Sequence, residues 1–119
     1  MTQSNIQIQI RNTADGVYVF DIEGEINAQA ESALMDAYTR VNGAGARTIV
    51  LNFQNLQYMN SSGIGLLVTL LIRTQRQKQH LQVCSLSDHY RQIFELTRLN
   101  EAIGIYASEA EALAAVQQA

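Results

Sequence analysis

The chain has 119 residues, 47% hydrophobic and 16% charged, which suits one domain with a real core and excludes a disordered polymer. Eight Lys and Arg against eleven Asp and Glu leave a formal net charge of −3, too little basic character to mark a nucleic-acid surface. The single cysteine, Cys84, rules out an internal disulfide and a cluster of thiolate ligands, and it weakly favours a reducing compartment.

The opening MTQSNIQIQIRN lacks the basic-then-apolar order of a signal peptide. The longest apolar stretch, GIGLLVTLLI, falls well short of the roughly 20 residues that cross a bilayer. A soluble, cytoplasmic protein is expected. Residues 5–12 alternate so that Ile6, Ile8 and Ile10 share one face of a strand. After the turn signal ADG, residues 17–24 continue as an inner strand, apolar on both faces, and the two runs predict a hairpin. From Asn27 the texture becomes helical: Ala30, Ala33, Leu34, Ala37, Tyr38 and Val41 repeat at helical spacing. Asn27 is a candidate cap for its start, and Gly43 or Gly45 for its end. RTIVLNF reads as a short buried strand, residues 62–77 as a second helix, LQVCSL as a strand and residues 87–100 as a third helix whose inner candidates are Tyr90, Ile93, Phe94 and Leu96 or Thr97. AIGIYA is a last strand, and residues 108–118 close as a helix with Ser108 and Glu111 at capping-box spacing. The order β-β-α-β-α-β-α-β-α predicts a single α/β domain over 1–119, with right-handed crossovers and a mostly parallel sheet under packed helices.

The most informative stretch is MNSSG, between the third strand and the second helix. In that helix Ile64, Leu67, Val68, Leu71 and Ile72 form one stripe, expected to face the sheet. Leu66, Thr69, Leu70 and Arg73 form another, expected to turn away. Arg73, Arg76 and Lys78 at the far end complement the negative pole of the helix dipole. The turn thus lies where the first N–H groups lack internal partners, at the sheet edge where ligands collect in open α/β folds. Ser61 or Ser62 can cap one of these groups. Gly63 and Gly65 remove side-chain bulk, so another molecule can approach the backbone. A phosphoserine suits the same place: its roughly −1.5 to −2 charges meet free donors and the positive end of the dipole. A rigid partner packed on that turn would not tolerate the group. The plainer reading of Ser-Ser-Gly is a helix cap and nothing more.

GEIN at Gly24–Asn27, followed by TIVLNFQNLQYMNSSGIGLL, resembles the STAS domain of bacterial anti-sigma factor antagonists. The usual pattern there is a G-E-[LI]-D turn and later an apolar strand leading to D-S-S-G. The resemblance extends to the element order and covers nearly the whole chain. It implies a partner switch. The unphosphorylated protein would bind an anti-sigma factor that is also a serine kinase; phosphorylation of the first serine would end binding, and a metal-dependent serine phosphatase would reverse it. Carried onto this chain, the phosphoacceptor is Ser61. The partner-binding candidates around it are Glu25, Asn27, Asn60, Ser62, Gly63 and Gly65, with Leu66 and Leu70 as a docking stripe. The other reading of those two leucines is packing against the third helix. No cofactor, metal, nucleic acid or membrane is implied. Two residues depart from the pattern: Asn60 and Asn27 stand where the family usually has Asp. Asn keeps the shape and the capping oxygen but loses the charge. That loss either weakens phosphorylation or eases accommodation of the phosphate.

Two rivals stand beside this reading. A serine on a strand-turn-helix invites comparison with α/β-hydrolases, but residues 59–64 do not supply Gly-x-Ser-x-Gly. The only histidines, His80 and His89, are expected on the surface rather than as a base for Ser61. No Gly-x-x-x-x-Gly-Lys is present for a nucleotide. The other rival is a STAS-like scaffold subunit of a transporter or stressosome-type complex, with no serine switch.

Overall fold

The computed structural model describes residues 5–117. Strands β1 (Ile6–Ala14) and β2 (Val17–Ile26) form the expected antiparallel hairpin. A 3-10 turn at Ala28–Ala30 leads into α1 (Glu31–Gly43). Then come β3 (Thr48–Met59), α2 (Ser61–Arg76), β4 (His80–Cys84) and α3 (Asp88–Leu96). A second 3-10 turn at Leu99–Glu101 precedes β5 (Gly104–Tyr106) and α4 (Glu109–Gln117). The five strands lie in the order β1-β2-β3-β4-β5. Every neighbouring pair after the hairpin is parallel, as the alternation of strands and helices requires.

Strand alternation divides the hydrophobic residues between two layers. Phe20, Ile22, Ile49, Leu51 and Val83 point to the main core, which is closed by Leu34, Tyr38 and Val41 of α1, Leu67 and Leu70 of α2, and Phe94 of α3. Val19, Val50 and Cys84 point the other way, under Ala112 and Leu113 of α4. Three helices therefore cover one face of the sheet, and α4 covers part of the other. Burial raises the Cys84 thiol pKa. Ser108 caps α4 as its spacing predicts: its Oγ accepts the Glu111 N–H at 3.2 Å, and the Glu111 carboxylate reaches back to the Ala107 N–H at 3.2 Å.

The structure departs from the sequence reading at β3, which is 12 residues long and runs on through Met59. The polar stretch Gln54–Gln57 hides this continuation, because it loses β4 as a neighbour and pairs only with β2. Register shifts after Asp21 and Gly24 keep the two strands together to their ends. Gly24 has φ +101°, and a Cβ there would lie 2.0 Å from the Asn5 carbonyl oxygen. That explains why glycine opens the GEIN turn. In α3, Tyr90 and Phe94 are buried as expected, while Leu96 is 84% exposed.

Candidate functional site: a serine at the mouth of α2

The last paired residues of β2 and β3 are Ile26 and Met59. Asn27 and Asn60 follow them side by side, each at the start of a helical segment. The Asn27 side chain accepts from the Gln29 N–H at 3.0 Å and caps the turn into α1. The Asn60 side chain accepts from the Gly63 N–H at 2.9 Å and caps α2. The Asn60 N–H in turn donates to the Ile26 carbonyl at 3.2 Å. The two motifs, 33 positions apart in sequence from Asn27 to Asn60, thus form one surface because parallel strands bring both helix starts to the same edge of the sheet.

Capping belongs to Asn60, not to Ser61 or Ser62. Both serines lie inside the first turn of α2 and are exposed. The backbone N–H groups of Ser61 and Ser62 have no partner among the described residues, as the first positions of a helix require. The Ser61 hydroxyl therefore stands free, beside two open donors at the positive end of the dipole. The Gly63 N–H is already taken, so the turn is held in shape without using the hydroxyl.

The two glycines have different roles. Gly63 is buried: a Cβ would lie 2.0 Å from the Ile26 carbonyl oxygen and 2.9 Å from Met59 Cγ. It permits α2 to lean on β2 and is not open to a partner, contrary to the sequence expectation. Gly65 is exposed, with nothing within 4 Å of where a Cβ would stand, and so leaves room for close approach to the backbone.

The docking stripe expected at Leu66 and Leu70 is overturned. Leu66 is 8% exposed and Leu70 0%; both belong to the main core. The buried face of α2 is Gly63, Leu66, Leu67, Leu70, Leu71 and Thr74. Both apolar stripes fit helical periodicity, and the helix settles with its inward direction between them, since β2 and α1 as well as β3 and β4 surround it. The consequence is that Ile64 and Val68 are only half-buried and Ile72 is 44% exposed. Ser61, Gly65, Val68 and Ile72, at helical spacings of four, three and four, run along the outward side of the helix. The apolar strip beside the hydroxyl is this one.

The remaining candidates are placed as follows. Glu25 precedes buried Ile26 and opposes Tyr58 across the strands, so its side chain leaves the opposite face of the ribbon from the Ile26–Met59 pair. Tyr58 itself is 52% exposed. The Tyr90 hydroxyl accepts the Met59 N–H at 2.8 Å, tying α3 to the end of β3 just before the cap. Sequence reasoning placed Tyr90 in the core but missed this anchoring role; the available signal was that a buried phenol needs a partner. His80 pairs with Thr48 at the other end of the parallel strands. His89 lies edge-on to Tyr90, ring centroids 5.0 Å apart. Among the described residues, no hydrogen bond joins either histidine to Ser61, and no helix is long and apolar enough to cross a membrane.

The family model of the STAS domain matches residues 7–112. An anti-sigma-B factor antagonist of Staphylococcus aureus is 29% identical over 101 residues, covering 85% of this chain and 93% of that protein. The fold is shared with the anti-sigma factor antagonist SpoIIAA in its unphosphorylated form, at TM-score 0.71 and 23% identity over 93% of this chain and 98% of that one. It is shared equally with the phosphorylated form of the Bacillus cell fate determinant SpoIIAA, at TM-score 0.73 and 23% identity over 92% and 99%. The sheet order, the shared helix-start surface and the span of the match lead to one conclusion: this chain belongs to the STAS domain family.

Proposed function

We propose that this protein is an anti-sigma factor antagonist working as a phosphorylation-controlled partner switch, with Ser61 as the acceptor. The observation that carries the reading is an exposed Ser61 hydroxyl at the first position of α2, released from capping by Asn60. Unphosphorylated, the turn and the strip through Gly65, Val68 and Ile72 present a flat, partly apolar surface to an anti-sigma factor that is also a serine kinase. Transfer of the γ-phosphoryl group of ATP forms a bond from Ser61 Oγ to that phosphorus, breaks its bond to the bridging oxygen so that ADP leaves, and releases the hydroxyl proton. The new charge is met by the free N–H groups of Ser61 and Ser62 and by the helix dipole. The domain keeps its fold while the partner, confronted with bulk and a solvated charge, leaves. A metal-dependent serine phosphatase resets the switch. Asn27 and Asn60 support this accommodation, because neither cap places a carboxylate against the phosphate.

The test is incubation with kinase-type anti-sigma factors and ATP, followed by mapping of the modified residue and calorimetry of the complex. One phosphate on Ser61 is expected, with Ser61→Ala still binding and Ser61→Asp binding at least about tenfold more weakly, a cost of about 1.4 kcal/mol. Label on Ser62, or equal affinity of wild type and Ser61→Asp, would count against the proposal.

A further inference from the structure

β1 is an edge of the sheet, and its outer side has no strand neighbour among the described residues. Exposed edges are ordinarily guarded by proline, lysine, a bulge or a covering segment. From Ile6 to Arg11 this strand has neither proline nor lysine, and its register shift comes only at Asn12/Ala14. Ile6, Ile8 and Ile10 all pack on the main core, while Gln7 and Gln9 are exposed on the other face. Beside the edge, Ala33, Asp36, Ala37 and Arg40 of α1 line an open groove together with Ile8 and Ile10. Asp36 and Arg40 are exposed, and neither is in an ion pair with a described residue.

We propose that the β1 edge pairs antiparallel with β1 of a second copy of this chain about a two-fold axis, joining the two sheets and setting Asp36 of each α1 against Arg40 of the other. The strand is self-complementary under that operation. With the axis through Ile8, Ile6 faces Ile10 of the second copy and Gln7 faces Gln9, so isoleucines stay on the core side and amides on the other. The same axis makes the two α1 helices antiparallel, which opposes Asp36 to Arg40, whereas parallel pairing in register would oppose like charges. Ala33 and Ala37 keep the space between the helices small. A strand from a different protein would satisfy the edge N–H and C=O groups equally well, but nothing would match it to the Asp36–Arg40 pattern. The surface consists of β1 and the outer side of α1, whereas the phosphoacceptor turn is the first turn of α2.

Sedimentation equilibrium of the full chain over a concentration series tests this, with Asp36→Arg, Arg40→Asp and the double exchange. The wild type is expected to dimerise reversibly. Each single exchange should raise the dissociation constant roughly tenfold, the scale of two ion pairs turned into repulsions, and the double exchange should restore it. Amide hydrogen exchange of Ile6–Ile10 should slow as wild-type concentration rises. A monomer at every concentration overturns the proposal. A dimer indifferent to both single exchanges overturns it too.

Discussion

Asn60 and the two glycines after it show how little chemistry separates a structural residue from a functional one. Gly63 and Gly65 both lie in the first turn of α2, yet one faces the Ile26 carbonyl and the other faces solvent. Gly63→Ala is therefore expected to destabilise the fold by about 2–3 kcal/mol through overpacking against backbone that cannot yield. Gly65→Ala should stabilise it by about 0.5–1 kcal/mol, because alanine is the better helix former. Urea unfolding of the two variants checks both signs. If the partner approaches the backbone at Gly65, the more stable variant is also the weaker binder, and calorimetry separates those effects. Loss of the cap in Asn60→Ala should cost about 1 kcal/mol.

Helix α2 carries more apolar side chains than its core contact uses, and the surplus lies at Ile64, Val68 and Ile72. Leu66→Glu places a charge in the main core and is expected to cost more than about 3 kcal/mol, enough to lower the melting temperature sharply. Ile72→Glu replaces a side chain that is already 44% exposed. Its expected cost is within about 0.5 kcal/mol, with weakened partner binding. Melting curves and binding isotherms of the two variants distinguish a core position from a docking position. A large stability loss in Ile72→Glu, or unchanged affinity, would remove the outward strip from the switch surface. This is also where the sequence was least legible. The wholly apolar stripe and the mixed one that carries Leu66 and Leu70 lie side by side on the same period, and only the neighbours decide which side chains lie beneath.

The whole molecule is tied end to end by a polar cluster on the α4 face. The Arg11 guanidinium donates to Asp21 at 2.8 Å and to Glu109 at 3.2 Å, and the Asn52 amide donates to Glu109 at 3.1 Å. It closes the loop between the first strand and the last helix, beside the small layer of Val19, Val50 and Cys84. The Arg11 hydrogen bond holds the Glu109 carboxyl below its ordinary pKa, with Asn52 assisting and partial burial opposing. A carboxyl depressed in the folded state contributes stability above the unfolded carboxylate range and loses it as pH falls through the folded value. Between about pH 6 and about pH 3, wild type should therefore lose more of its urea midpoint than Glu109→Gln, whose neutral amide does not titrate. Equal losses in the two proteins would show that the cluster does not tether α4. Asn52 carried no signal in the sequence for this role, since its partner lies 57 positions away.

By itself the sequence determined the element order, the sheet's mixed-then-parallel character and the position of the serine turn. These depend on local periodicity, on turn residues and on the short-range chemistry of helix ends. Only the tertiary structure decided that Asn60 rather than a serine caps α2, that Gly63 serves packing while Gly65 faces solvent, and that Leu66 and Leu70 belong to the core. Each of those outcomes depends on what lies across a gap: the Ile26 carbonyl, the space outside Gly65, the sheet and α1 under the helix. A side chain's neighbours along the chain do not specify its neighbours in space, and burial is a property of the latter.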